Sequence, residues 1–389
     1  MPGQSPPPSR FQCGERQSRP QPRKAGNRNG FADTSEGGRL DCRAADRQCP
    51  SAQLLEGGTE CRASSSPIAT TDYDHFRDFR LGLVNAEGID HTWLTLGHHE
   101  VFARFTFNRE WDVSELSFAK FCAQVTREAP DIIGLPVVCS RLFRFSSFYV
   151  NKHSKIRTAA DLKGKTIGSP EWAHTAAVYM RGWLNDEHGV ALQDVHWYQA
   201  GANEAGRIEK VELDLPKGVQ LTRVADKSLS EMIATGEIDC ALIARPPNSF
   251  LAGHADVVRL FPDYLPMEEA YYARTKVWPI MHIIAIRTRV LDEHPWVARN
   301  LYNAFVESKR RSLERLLDPA VSRYPLAWLP TYARTMRDRF GGDPFPYGIE
   351  ENRPTLEQFL RYTHEQGIAH RHARPEDIFP KGIMTAVRV

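Results

Sequence analysis

Two adjacent histidines open the stretch GHHEVFARF, where His98 and His99 directly follow Gly97. Imidazole titrates near neutral pH, so a pair at a helix start suits proton transfer, or serves simply as polar cap residues. Arginines stand at the ends of apolar runs. Arg141 and Arg144 flank Leu142-Phe143 after LPVVCS, and Arg245 follows DCALIA. A guanidinium holds a carboxylate in plane through two hydrogen bonds, which fits capture of an organic acid; a surface or interlobe ion pair is the plainer use. Glu115 and Glu171 are expected in loops at strand ends, placed to accept hydrogen bonds or to complement a helix N-terminus. His282 lies inside IMHIIAI, the place of a hydrogen-bonded core histidine as much as of a ligand contact. Tyr73 and Asp74 occupy a polar loop that either closes over a ligand or is a turn. A metal held by His98, His99, Glu115 and Glu171 is the less favoured idea, because adjacent histidines lack the i, i+4 spacing of a helical ligand pair. The sequence carries no Ser-His-Asp motif, Gly-rich nucleotide loop or zinc spacing.

The elements that must position these residues centre on Ile156 to Val190. Thr158 caps a short helix, Lys163-Gly164-Lys165 turns, and Thr166-Ile167-Gly168 is a buried strand. The loop Ser169-Pro170-Glu171-Trp172 then opens a longer helix that begins near His174 and Thr175 and stops at Gly189. The free N–H groups of that helix start form a natural anion seat. Further strands are expected at Ile68–Thr70, Phe79–Val84, His91–Leu96, Trp111–Ser117, Ile132–Cys139, Phe145–Val150, Val195–Tyr198, Val219–Val224, Asp239–Ala244 and Ile280–Val290. Helices fall between them: one after Gly97, one bearing Phe118, Phe121 and Val125, and one with capping-box spacing from Ser228 to Glu231 that ends at Gly236. Later helices run over Asn300–Leu317 and from a cap at Thr355 and Gln358 to Gly367. Strand–helix alternation implies α/β architecture with a mostly parallel sheet flanked by helices in each of two lobes, and ligands beyond the carboxyl ends of the strands.

At 389 residues and a net charge of +2 the chain is long enough for two domains, and its charge balance does not point to nucleic acid or a membrane surface. No run approaches the roughly 18 apolar residues of a membrane span. Residues 1–65 are rich in Pro, Arg, Gly, Ser and Gln and are expected to be a disordered extension. The seven cysteines are scattered: Cys13, Cys42, Cys49 and Cys61 in the polar tail, Cys122, Cys139 and Cys240 in apolar surroundings. An odd count with no apolar secretion segment at the start fits reduced thiols and a cytoplasmic location.

The stretches DYDHFR, HHEVFARF, WDVSELS, LPVVCSRLFRFSSFYVN, DLKGKTIGSPEWAHTAAVYMRG and GEIDCALIARPP, and above all LFPDY, HPW and the ending YGIEENRPTLEQFLRYTHEQG, carry a likeness to a known family. From about Ile68 to Phe379 the chain resembles the 4,5-dihydroxyphthalate decarboxylase family. The resemblance implies a two-lobed fold like the type II periplasmic binding proteins, with a ligand cleft between lobes. The lobes would divide as 66–152 and 259–389 for the first and 153–258 for the second. It implies conversion of 4,5-dihydroxyphthalate to protocatechuate and CO2 in aromatic (phthalate) degradation, without a cofactor or with a divalent metal. Under that reaction His98 and His99 become the expected proton donors, and Glu115 and Glu171 acceptors from the ring hydroxyls. Tyr73, Asp74, Arg141, Arg144, His174, Thr175, Arg245 and His282 become the expected substrate contacts. The partner is then a small aromatic carboxylate, with homo-oligomerisation left open. A binding protein that delivers an organic anion to an ABC-type transporter is the rival, since a fold does not fix a function.

Overall fold

In the computed structural model, residues 64–384 are described. The expected extension over 1–65 therefore lies outside the described residues, apart from Ser64 and Ser65, which open the first strand; Cys13, Cys42, Cys49 and Cys61 lie outside as well. Four strands come first: β1 (Ser64–Thr70), β2 (Ile89–Thr95), β3 (Val113–Ser117) and β4 (Ile132–Arg141). Six follow: β5 (Phe148–Asn151), β6 (Thr166–Ser169), β7 (His196–Gly201), β8 (Gln220–Ser228), β9 (Cys240–Leu242) and β10 (Val257–Arg259). The chain then returns through β11 (Ile280–Arg287). One sheet has the order β2-β1-β3-β11-β4 and the other β10-β5-β9-β6-β7-β8. Each sheet with its helices is one lobe, and the backbone crosses between lobes twice, after β4 and after β10. This is the two-lobed α/β arrangement that the resemblance implies.

Both sheets are mixed: most strands of each run parallel, as expected, and one runs against the rest. β1 runs parallel to β2 and β3, but β11 is antiparallel to both β3 and β4. In the second sheet β6 pairs in parallel with β7 and β9, and β7 with β8, while β5 is antiparallel to β9 and β10. The reversed strands, β5 and β11, are those that directly follow a crossing; they enter their sheets from the opposite end. β5 also places the first crossing upstream of the expected boundary after residue 152.

Local chemistry explains most element ends. The buried run Ile283-Ile284-Ala285-Ile286 suits a central strand covered on both faces, as β11 is. The helix Thr175–His188 ends on Gly189 at φ 63°, a left-handed position that glycine takes at no steric cost. Ser228 accepts from the Glu231 N–H at 3.2 Å while its own N–H donates to the Glu231 carboxylate at 2.8 Å, closing the expected capping box. The helix Arg353–Glu365 crosses Thr175–His188 closely at Gly182, where a Cβ would lie 2.4 Å from the Tyr362 ring. Phe359 of that helix stacks on Phe118 at 4.5 Å, so the carboxyl-terminal helix packs against elements of both lobes.

Two expectations differ. Phe79–Val84 is no strand; Asp74–Phe76 and Arg77–Arg80 are helical turns. They pack on the helix Val297–Leu317, where Asp78 pairs with Arg315 at 2.9 Å and the Phe79 N–H donates to Ser308 at 3.2 Å. Thr355 and Gln358 do not cap a helix, which already starts at Arg353 with Pro354 in its first turn; Thr355 is buried and accepts from the Trp278 N–H at 2.9 Å.

Candidate functional site

Glu115 sits within β3, not in a loop, and its side chain is wholly buried. Such a carboxylate needs donors on every side. It has three: the Thr71 N–H at 2.7 Å, the Tyr73 hydroxyl at 2.6 Å and His282 Nδ1 at 2.7 Å. Burial pushes the Glu115 pKa up, but His282, Tyr73 and Thr71 outweigh it, and the net shift is downward. Burial and the neighbouring Glu115 raise Tyr73 far above its usual range, so the phenol stays protonated and donates. An ionised Glu115 only accepts, which places the proton of His282 on Nδ1. His282, in the adjacent β11, lines a cavity of about 270 Å³.

His98 and His99 begin the helix His98–Asn108 after Gly97 and line the same cavity. The His98 ring stands 6.2 Å from that of His282, interplanar angle 22°, and Phe102 of the same helix meets His282 edge-on at 4.8 Å. Burial lowers the His98 pKa, and His282, Arg245 and Arg207 lower it further. His99 is the more exposed ring; partial burial and Arg207 shift it down as well. Both imidazoles are thus kept neutral.

The opposite wall is built by the second lobe around Glu171, also wholly buried. Its partners are basic side chains: Lys120, Arg207 at 2.7 Å and Lys210 at 2.6 Å. Burial acts to raise this carboxyl, and the charges of Lys120, Arg207 and Lys210 overcome it, holding the group well below the usual carboxylate range. His174, beside Arg207 and Lys120, is pushed far down, first by burial and then by those charges. Thr175 ties the lobes together: its hydroxyl lies 2.9 Å from the Ser117 hydroxyl and accepts from the Ala119 N–H at 3.1 Å. Ser117 and Thr175 stand at two helix starts, Phe118–Val125 and Thr175–His188, so both positive helix ends meet at the cavity.

The cavity wall carries four cations, Lys120, Arg144, Arg207 and Arg245, and no acid. Among the described residues Arg144 hydrogen-bonds only the Met281 sulfur at 3.2 Å and, weakly, the Ala244 carbonyl at 3.5 Å; burial lowers it to about 10. Arg245, on the exposed rim, has no hydrogen bond or ion pair among the described residues. A second cavity of about 390 Å³ continues past His98, His174, Arg207 and Arg245 to the loop after β7.

Eight of the expected site residues, Tyr73, His98, His99, Arg144, His174, Thr175, Arg245 and His282, therefore line one cavity, and Glu115 and Glu171 stand directly behind it. Arg141 and Asp74 do not belong to it. The Arg141 guanidinium is buried and spent on the carbonyls of Trp278 at 2.6 Å and Pro346 at 2.8 Å and on the Asn352 side chain, where it braces the fold. Asp74 faces the helix Val297–Leu317, pairing with Ser312 at 2.5 Å and Arg315 at 3.3 Å. Sequence reasoning missed Lys120, Arg207, Lys210 and Ser117. Lys120 had a signal: a lone charge in the apolar helix FAKFCAQV needs a partner. Arg207 and Lys210 lie in the long connection between β7 and β8, which shows no periodicity to read. Among the described residues no three His, Cys, Asp or Glu side chains gather to hold a metal.

Such a site can hold a multiply charged anion against its cations, with the carboxylate-backed imidazole of His282 on one side and neutral imidazoles beside it. No family model matches the chain. Among curated proteins, 4,5-dihydroxyphthalate decarboxylase of Comamonas testosteroni is 34% identical over 323 residues, 83% of this chain and 98% of that protein. The enzyme of the same name from Pseudomonas putida is 36% identical over 197 residues, 50% of this chain and 76% of that protein. Among solved structures, the periplasmic aliphatic sulphonate binding protein of Escherichia coli matches with a TM-score of 0.45 and 12% identity, over 82% of this chain and 99% of that one. The extent and level of the first of these similarities establish that the chain belongs to the 4,5-dihydroxyphthalate decarboxylase family.

Proposed function

We propose that the protein removes one carboxylate from 4,5-dihydroxyphthalate, giving protocatechuate and CO2. The observation that carries this reading is a cavity with four cations and no acid on its wall, backed by the Glu115–His282 pair. Arg144, Arg245 and Arg207, with the helix start at Thr175, hold the two carboxylates of the substrate. Each carboxylate of this substrate stands para to a hydroxyl. A neutral His98 or His99 takes the proton of that hydroxyl, and electron density moves to the ring carbon that bears the carboxylate. That carbon takes a proton from His282 Nε2, which leaves a dearomatised ring. The bond to the carboxylate then breaks, CO2 departs, and the bonding pair restores the ring and the phenolate, which recovers its proton from the histidine. Protons and electrons balance, with one proton from solvent consumed per CO2 released.

In this scheme Glu115 stabilises the imidazolium form of His282, and Tyr73 fixes Glu115. The roles differ from the sequence-based expectation that His98 and His99 donate the ring proton. Their lowered pKa values leave both rings unprotonated, with no imidazolium proton to give, whereas the carboxylate behind His282 suits donation. The test is to incubate the purified protein with 4,5-dihydroxyphthalate and follow CO2 release together with ligand binding. Stoichiometric CO2 and protocatechuate are expected; tight binding without turnover would instead assign the protein to anion delivery.

A further inference from the structure

The pairing of β11 with β4 is irregular on both sides of His282. Ile280 pairs with Arg141 and His282 with Ser140, so Met281 has no opposite residue; Ile283 then pairs with Val138, so Cys139 has none either. Extra residues of this kind break the strict alternation of a strand and re-aim side chains. Met281 and His282, though consecutive, accordingly both line the cavity of about 270 Å³, and Ser140 lines it with them.

Five hydroxyl-bearing side chains line that cavity: Thr71, Tyr73, Ser117, Ser140 and Thr175. Tyr73 donates to Glu115 at 2.6 Å, and the hydroxyls of Ser117 and Thr175 lie 2.9 Å apart. The Thr71 hydroxyl is wholly enclosed, out of a ligand's reach. Ser140 differs from the other four. It is half-buried, and its hydroxyl makes no hydrogen bond among the described residues. Facing a carboxylate, which only accepts, an open serine hydroxyl acts as a donor.

Ser140 and His282 stand opposite one another on paired strands. Such strands are about 4.8 Å apart, so a group that reaches His282 Nε2 also comes within range of Ser140. In the proposed reaction the ring carbon at His282 Nε2 bears the carboxylate that leaves. The hydroxyl para to it lies across the ring, toward His98 and His99. The substituent nearest Ser140 is thus the departing carboxylate.

We propose, on the decarboxylase reading, that Ser140 is a further substrate-binding residue whose hydroxyl donates to the departing carboxylate. A neutral donor suits that place. It orients the carboxylate without a further cation, which would stabilise the ionised ground state more than a transition state whose charge is moving into the ring.

The experiment titrates the full-length protein with phthalate and, separately, with benzoate by calorimetry. Neither acid has the ring hydroxyl that the reaction needs, so binding is read without turnover. The wild type is expected to prefer phthalate. Ser140→Ala should weaken phthalate binding by about 10-fold, the worth of one hydrogen bond to a charged group, and leave benzoate unchanged, because a single carboxylate goes to the arginines. Ser140→Thr, which keeps a hydroxyl, should retain phthalate affinity. Since the Ser140 hydroxyl has no partner in the protein, Ser140→Ala should leave the melting temperature unchanged. With 4,5-dihydroxyphthalate as substrate the same variant should raise KM by about 10-fold without lowering kcat. Unchanged phthalate affinity in Ser140→Ala would overturn the proposal, as would an equal loss on both acids or a fall in kcat at constant KM. Phthalate binding that depends on Ser140 in a protein without turnover would keep the contact and remove the decarboxylase reading alone. A wild type with no preference for phthalate over benzoate would overturn the two-carboxylate reading of the cleft, and the Ser140 contact with it.

Discussion

Glu115 and Glu171 are both wholly buried acids, and each backs one wall of the same cavity, yet their company differs in kind. Glu115 is surrounded by a backbone N–H, a phenol and an imidazole. Glu171 is surrounded by a lysine ammonium, a guanidinium and a second ammonium. The contrast teaches how one buried residue type serves two purposes. A carboxylate beside an imidazole is placed to steady a proton; a carboxylate among three cations is placed to hold charge in space. In the proposed reaction the first serves the chemistry, and the second the frame that presents Arg207 to the substrate.

The comparison breaks most visibly on the catalytic side. His282→Ala should lower kcat by about 10²- to 10⁴-fold, the usual worth of a positioned general acid. Glu115→Gln should lower it by about 10²-fold and also move the alkaline limb of the pH–rate profile to lower pH, because the imidazolium loses its counter-charge. A pH profile of unchanged shape in that variant would remove Glu115 from the proton path. Glu171→Gln should act on stability instead, costing about 3–5 kcal/mol in denaturant unfolding, because it leaves three cations packed together without their acid. The sign with pH follows from the depressed folded value of Glu171. Its stabilisation is complete above the ordinary carboxyl value of 4.5 and is lost as pH falls through the lower folded value. Acid unfolding of Glu171→Gln should therefore be shallower than that of the wild type.

A smaller effect is expected at the rim. Arg245→Ala should raise KM by about 10-fold with little change in kcat, since it removes one charge-assisted contact to a spectator carboxylate. Smallest of all, Tyr73→Phe should reduce kcat by less than about 10-fold, because Thr71 and His282 still hold Glu115. A loss as large as that of His282→Ala would mean that Tyr73 itself handles a proton.

Much of this was legible before any coordinates. Helix 175–188 followed from its spacing and from Gly189, the box at Ser228 from its residue types, and β11 from an apolar run too continuous for a surface strand. Local rules failed where a contact distant in sequence decided the outcome. Phe79 has a strand-like neighbourhood, but Asp78 and Arg315, far apart in the chain, fix a helical turn. Arg141 and Arg144 look alike in SRLFRF, yet backbone carbonyls from remote segments saturate one guanidinium while the other stays open to the cavity. The nest around Glu171 was unreadable for the same reason: Lys120 and Lys210 meet it from separate elements, and no spacing announces the convergence.

The sheet order β2-β1-β3-β11-β4 bears on how the chain is made. Among the described residues β4 has no neighbour in its sheet except β11, and β11 is synthesised only after the whole second lobe. On a growing chain the contiguous second lobe has all its strands first, while β4 waits with an unsatisfied edge. His282 arrives on that same late strand, so Glu115 gains its imidazole in the step that closes the first sheet. Under the proposed reaction a half-made molecule would lack its proton donor until β11 slots into place.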